Sequence, residues 1–396
     1  MKPISSIAGA VQASTTLAID ALAKQMKADG LDVVGFGTGE PDFDTPDNIK
    51  AAAIKAIEEG QTKYTPAAGI IPLRKAVAER LKADCGLDYD FTQIVIASGA
   101  KHNVFIALSV LLEAGDEVVV PAPFWVSYYE MIRMAGGEPV IISAGEEQGF
   151  KITPQQLEAA ITPKTKVFMI NNPSNPTGML YSRNELEQLA AICQKYDLYI
   201  ISDEIYYGLI YDNKEFVSVA ALGDDIKERT ILVNGVSKSY AMTGWRIGYT
   251  ASSTALAKVM SNYLSHSTGA PATMSQFAAL EALNGPQDGI EAMRKVFEVR
   301  RNYIVKRMNE IKGVSCIVPE GAFYVMMNVE QLKGKTIGGR LINDGDDFAM
   351  AFLEQGLVAV VPCSGFGSPD FVRWTYAASM ENIREGLDRL EKFLAE

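Results

Sequence analysis

Residues 166–204 read KVFMINNPSNPTGMLYSRNELEQLAAICQKYDLYIISDE. Two short apolar runs, Lys166 to Asn171 and Leu198 to Ser202, read as strands. Between them stand a turn stiffened by Pro173 and Pro176 and a segment of helical period, Arg183 to Tyr196, opened by the capping box Ser182 to Glu185. A strand, a helix and a strand in this order imply parallel pairing with the helix on one face.

The same alternation extends to both sides. Gln93 to Ala97, Glu117 to Val120, Pro139 to Ser143, Thr230 to Asn234 and Arg246 to Thr250 read as further strands, with helical segments at Lys101 to Glu113 and Pro154 to Ile161. The sequence predicts an α/β fold: a mainly parallel seven-stranded sheet with helices on both faces. After about residue 290 the pattern changes to a long helix, strands around Val314 to Asn328 and Leu357 to Val361, and a closing helix, Met380 to Leu394, with Ile383, Leu387, Leu390 and Leu394 at helical spacing. The expected division is a large domain of residues 48–290 and a smaller α+β domain made of residues 1–47 and 291–396.

Open parallel sheets bind ligands beyond the carboxyl ends of their strands. Asn175 lies in the turn after Lys166 to Asn171. Asp203, followed by Tyr206, ends Leu198 to Ser202. Ser237 and Lys238 follow Thr230 to Asn234, and Arg246 heads the next run. Desolvation and neighbouring positive charge lower a lysine's pKa and free an amine able to form a Schiff base. Gly99, Ala100 and Lys101 lie where a strand gives way to a helix, so their amides can hold a phosphate. Trp125 opens another helix, and Arg373 sits within an apolar run, suited to grip a carboxylate bidentately. Taken singly, each has a plainer reading: a Pro/Gly connection, a solvated acidic turn, a turn lysine, a core tryptophan, a structural salt bridge. Together they supply what pyridoxal 5′-phosphate requires: an amine for its aldehyde, an acid for its ring nitrogen, anion donors for its phosphate and an aromatic face.

Composition removes competing classes. The 396 residues carry 37 Lys plus Arg against 48 Asp plus Glu, a net charge of -11, so nucleic acid is not an expected partner. Cys85, Cys193, Cys316 and Cys363 form no C-x-x-C pair, and with only 2 His no metal site is expected. No apolar stretch reaches the ~20 residues that span a bilayer, and no signal peptide is read at the N-terminus, so the expected location is the cytoplasm.

With these residues assembled, the chain resembles the fold-type I pyridoxal-phosphate aminotransferases and, within them, the bacterial subgroup Ib aspartate aminotransferases. The resemblance runs from Gly39-Glu40-Pro41-Asp42-Phe43 through Lys63-Tyr64, Asn175-Pro176-Thr177-Gly178, Ser202-Asp203-Glu204-Ile205-Tyr206 and the segment Ser237 to Tyr249 to Arg373. It implies that Lys238 anchors the cofactor and shuttles the Cα proton, and that Asp203 keeps the ring nitrogen protonated. Asn175 and Tyr206 would bind the ring hydroxyl oxygen, while Trp125 stacks on the ring. Ser237, Arg246 and the amides of Gly99, Ala100 and Lys101 would hold the phosphate, with Tyr64 arriving from a second subunit. That implies a homodimer whose active site lies at the subunit interface. Arg373, with Gly39 and Asn175, would grip the substrate α-carboxylate.

The implied reaction is ping-pong transfer from an amino acid to a 2-oxo acid, with L-aspartate and 2-oxoglutarate as the leading pair. Lys101, Ser14 and Thr16 would recognise the side-chain carboxylate. The alternatives on the same fold are an alanine, aromatic, kynurenine or prephenate aminotransferase, or a cysteine-S-conjugate β-lyase. Gln12 stands where prephenate-accepting members carry a lysine, which weighs against that substrate.

Overall fold

A computed structural model describes residues 2–11 and 15–395, apart from the side chains of residues 15–18 and 20. Seven strands form the main sheet: β1 (Ile94–Ala97), β2 (Glu117–Ala122), β3 (Glu138–Ser143), β4 (Thr165–Asn171), β5 (Tyr199–Asp203), β6 (Thr230–Gly235) and β7 (Gly248–Ala251). Their order is β1-β7-β6-β5-β4-β2-β3, parallel throughout except that β7 runs against both neighbours. The expected seven-stranded, mainly parallel sheet is therefore present. Its interior strands are apolar on both faces because helices cover both; β6 and β7 are buried along their whole length, as is the edge strand β1.

Two strand boundaries of this sheet lie two residues from the sequence reading, the others within one. β2 continues through Pro121 to Ala122. The Glu117 amide donates to the Lys164 carbonyl at 2.9 Å, so alternate amides of β2 face β4. Pairing with β4 has ended by Val119, and the missing donor of Pro121 leaves no ladder bond unmade. Arg246, expected at the head of a strand, instead precedes β7 in the left-handed region at φ 57°. Strand pairing starts only at Gly248, where a Cβ would lie 2.3 Å from the Ala100 nitrogen.

The capping box at Ser182 is formed, with the Ser182 amide donating to Glu185 at 2.7 Å and the Glu185 amide donating back at 3.4 Å. A second core gathers around the long helix Asp288–Glu310, the closing helix Met380–Ala395 and three antiparallel strands: β8 (Tyr324–Asn328), β9 (Val361–Pro362) and β10 (Phe371–Thr375). Only Tyr324–Asn328 of the stretch expected to hold strands from Val314 is a strand, joined to Ser315 by a single bridge. The N-terminal chain reaches this core through Val34–Gly35, which pairs with Val358–Ala359. Residues 37–45 then cross to the main sheet, where Thr45 Oγ1 donates to the Ala241 carbonyl at 2.6 Å. Among the described residues no helix is long and apolar enough to cross a membrane.

Candidate active site

Parallel register brings three strand ends side by side: Asn171 of β4 pairs with Asp203 of β5, and Asp203 with Val233 of β6. The Asp203 carbonyl accepts from Asn171 Nδ2 at 2.8 Å and from the Asn172 amide at 3.0 Å, which fixes the acid at the sheet edge. Its carboxylate is buried. Oδ2 accepts from the Tyr128 hydroxyl at 2.6 Å and Oδ1 from the Ile205 amide at 3.2 Å. Burial raises its pKa to about 6, against the pull of those hydrogen bonds and of the Lys238 charge. Among the described residues no cation touches this carboxylate.

Lys238 stands in the turn after β6. Its amine donates to the Gly39 carbonyl and lies 5.9 Å from the centre of the Tyr206 ring. Burial pushes its pKa down to about 8; the Glu40 charge opposes this, and Arg373 and Arg246 add to it.

Beyond β1, Gly99 caps the helix Ala100–Leu111 at φ 86°, a conformation that favours glycine. A Cβ on Gly99 would lie 2.5 Å from Arg246 Nη2. Arg246 donates only to carbonyls, Thr243 at 2.8 Å and Ser98 at 3.3 Å, and no carboxylate among the described residues pairs with it. A helix start and an unneutralised guanidinium thus share one spot, an arrangement that attracts an anion. Trp125 packs edge-on against Tyr128, with ring centres 5.4 Å apart, and the Lys101 amine lies 4.8 Å over its ring.

Arg373 of β10 is buried. Its Nη1 donates to Asn175 Oδ1 at 3.0 Å and Nη2 to the Gly37 carbonyl at 2.8 Å, while Nε has no partner among the described residues. Asn175 is held in turn by its amide, which donates to Asn171 Oδ1 at 2.7 Å. A buried cation whose hydrogen bonds go only to neutral oxygens is ready for a carboxylate.

A cavity of about 560 Å³ joins Gly39, Ala100, Lys101, Trp125, Asn175, Asp203, Tyr206, Ser237, Lys238, Arg246 and Arg373. Gly99 sits just behind it. A second cavity, about 750 Å³, shares Lys101 and Arg246 but is otherwise walled by side chains such as Phe105, Phe124 and Met131, and it contains neither the acid nor the clamp. The smaller one brings together Asp203, Lys238 and Arg373. Tyr64 is not part of either; its side chain is fully exposed. Ser14, Gln12 and the Thr16 side chain lie outside the described residues.

Sequence reasoning missed Tyr128, Glu40 and Tyr324, all of which line the cavity. Tyr128 follows Trp125 by one helical turn and was legible in principle. Glu40 directly follows Gly39. Tyr324 comes from the second core and carries no local signal.

The family model for aminotransferase class I and II matches residues 31–390. An aspartate aminotransferase of Bacillus subtilis is 48% identical over 385 residues, covering 97% of each chain. Among solved structures, the aspartate aminotransferase of Rhizobium meliloti superposes with a TM-score of 0.96 at 40% identity, over 100% of this chain and 99% of the other. That of Thermus thermophilus with maleate gives 0.93 at 38% identity, over 99% of this chain and 100% of the other.

Proposed function

Because this chain belongs to the class I and II aminotransferases, we propose that it carries the amino group of L-aspartate to 2-oxoglutarate in ping-pong order. The enzyme is pyridoxal-phosphate-dependent, and its cavity fits that group. It offers an amine of lowered pKa, a buried carboxylate touched by no cation among the described residues and an anion cradle with no room for a side chain at Gly99. One observation carries the reading: Lys238, Asp203 and Arg373 line a single cavity.

When bound, the cofactor supplies a sink for the electron pair left at the substrate Cα. In our reading Arg246, Ser237 and the amides of Gly99, Ala100 and Lys101 hold its phosphate, and Trp125 lies against its ring. Asp203 keeps a proton on the ring nitrogen. The carboxylate is ionised above about pH 6 and no cation among the described residues touches it, so a ring N–H⁺ would complete its hydrogen bonding. Tyr206 and Asn175 donate to the ring hydroxyl oxygen. Arg373 grips the α-carboxylate, which sets the Cα–H bond toward Lys238, whose free amine takes the Cα proton.

Lys101, at the cavity wall, is the cation we assign to the side-chain carboxylate, with Ser14 and Thr16. The Thermus relative was solved with maleate, a dicarboxylate. We further propose a homodimer that shares its sites. Tyr64 is fully exposed although its loop is tied down: Thr273 Oγ1 donates to the Lys63 carbonyl at 2.9 Å and Gln276 Nε2 to Thr65 Oγ1 at 3.0 Å. A rigidly presented aromatic side chain suits a partner's site. Residues 48–290 form the large domain in this reading, and residues 1–47 with 291–396 the small one. The four free thiols fit a cytoplasmic enzyme.

Initial rates for a panel of amino donors against 2-oxoglutarate test the proposal. Aspartate should give the highest kcat/KM, and Lys101→Ala should lower it by about 1.5–3 kcal/mol, the scale of a charged hydrogen bond, while sparing alanine. Faster turnover of alanine or an aromatic donor by the unmodified enzyme would contradict the assignment.

A further inference from the structure

Tyr324 enters the active site from the small core, on β8, where it pairs with Thr375 of β10. Its side chain makes two contacts with site residues. Its hydroxyl lies 2.9 Å from the Tyr206 hydroxyl, and its ring lies under Arg373, 4.4 Å from the guanidinium carbon. Both tyrosines are buried. The backbone passes against Tyr324 at Gly39: a Cβ there would sit 2.9 Å from the Tyr324 hydroxyl, so only a glycine lets the chain approach this closely.

Two hydroxyls that share one hydrogen bond have one proton to spare, and which oxygen keeps it depends on which is the better donor. Arg373 favours Tyr324 as the donor, because a cation over a phenol ring draws charge from it and acidifies its hydroxyl. Burial raises the pKa of both phenols; at Tyr324 the Arg373 charge is the chief opposing influence, whereas at Tyr206 the neighbouring tyrosine raises it further. With Tyr324 donating, the Tyr206 oxygen is an acceptor and its own proton is left to point into the cavity. A donor that is itself a hydrogen-bond acceptor donates more strongly.

We propose that Tyr324 is a positioning residue that links the carboxylate clamp to the ring-oxygen donor: its ring supports Arg373 and its hydroxyl turns the Tyr206 proton toward the cofactor. The inference rests on the pyridoxal-phosphate reading of the site. The charged and titratable groups facing Tyr324 are Tyr206, Arg373, Glu40 and Tyr376.

The test separates the two contacts with two variants of the holoenzyme. Tyr324→Phe keeps the ring and removes the hydroxyl. The absorbance titration of the bound chromophore should then move to higher pH, since a weaker donor leaves more negative charge on the ring oxygen to hold the neighbouring proton. The shift should share the direction of that in Tyr206→Phe, be smaller, and add nothing in the double variant. KM for aspartate should stay within about twofold while kcat falls. Tyr324→Leu also removes the ring, and KM should rise about three- to tenfold, the scale of a partly desolvated cation–π contact. Thermal melts and cofactor content of each variant identify loss of fold. A Tyr324→Phe titration that overlays the unmodified one, or a fully additive double variant, overturns the link. Absence of any chromophore on the unmodified protein would instead refute the pyridoxal-phosphate reading itself.

Discussion

A lysine amine that titrates at about 8 instead of 10.5 is available as a nucleophile at neutral pH. At pH 7.5 about a quarter of it is unprotonated, against roughly 0.1% for an ordinary lysine. The rate at which cofactor-free protein takes up pyridoxal phosphate, followed by its chromophore, should therefore rise with pH and level off above about 8. A rise that continues to about 10 would show that burial does not tune Lys238. Arg373 makes the complementary prediction. Lysine keeps the charge but loses the planar fork, so Arg373→Lys should cost kcat/KM about 2–4 kcal/mol for every amino acid, aspartate and alanine alike. A loss confined to aspartate would move the α-carboxylate site elsewhere.

At the scale of an element, the start of the helix Ala100–Leu111 depends on Gly99 in a conformation that L side chains rarely adopt. Gly99→Ala forces a methyl against Arg246 and strains the backbone by about 1–3 kcal/mol, so it should lower both Tm and cofactor affinity. Unchanged affinity in a folded variant would remove that helix start from the phosphate site.

The end of β5 has a second pin. Glu204 Oε1 accepts from Ser202 Oγ at 2.8 Å, Ser218 Oγ at 2.9 Å and the Val219 amide at 3.2 Å, and burial raises its pKa from 4.5 to about 7. The folded chain thus binds this proton more tightly than the unfolded chain. The resulting stability is present below about pH 4.5 and is lost as pH rises to about 7. Glu204→Gln has no such proton to lose, so the Tm of the cofactor-free variant should gain on the unmodified protein between pH 5 and pH 8. A constant difference would mean that Glu204 does not titrate in this range.

The strands of the main sheet were legible in the sequence because β-branched runs between punctuating turns identify themselves, and the polar residues just beyond them fell where a parallel sheet puts its ligands. Arg246 was legible as a residue near the sheet edge that lines the cavity but not as a left-handed one, since strand pairing begins only at Gly248. Tyr324 and the Gly37 carbonyl were not legible, because the folding of the second core brings them to the site.

For the whole molecule the decisive property is whether one chain completes another's site. Tyr64 is too exposed to serve its own cavity, so Lys238→Ala and Tyr64→Ala variants should complement. If the proposed dimer shares its sites, co-refolded mixtures should hold hybrids with one doubly damaged site and one intact site, and should recover activity that neither variant has alone at limiting cofactor. No recovery would place Tyr64 in its own chain's chemistry or in none.

The account as a whole depends on which lysine carries the cofactor. Reduction of the holoenzyme with borohydride followed by peptide mass mapping should find a pyridoxyl group on the peptide containing Lys238 and on no other. An adduct on a different lysine, or none at all, would contradict it.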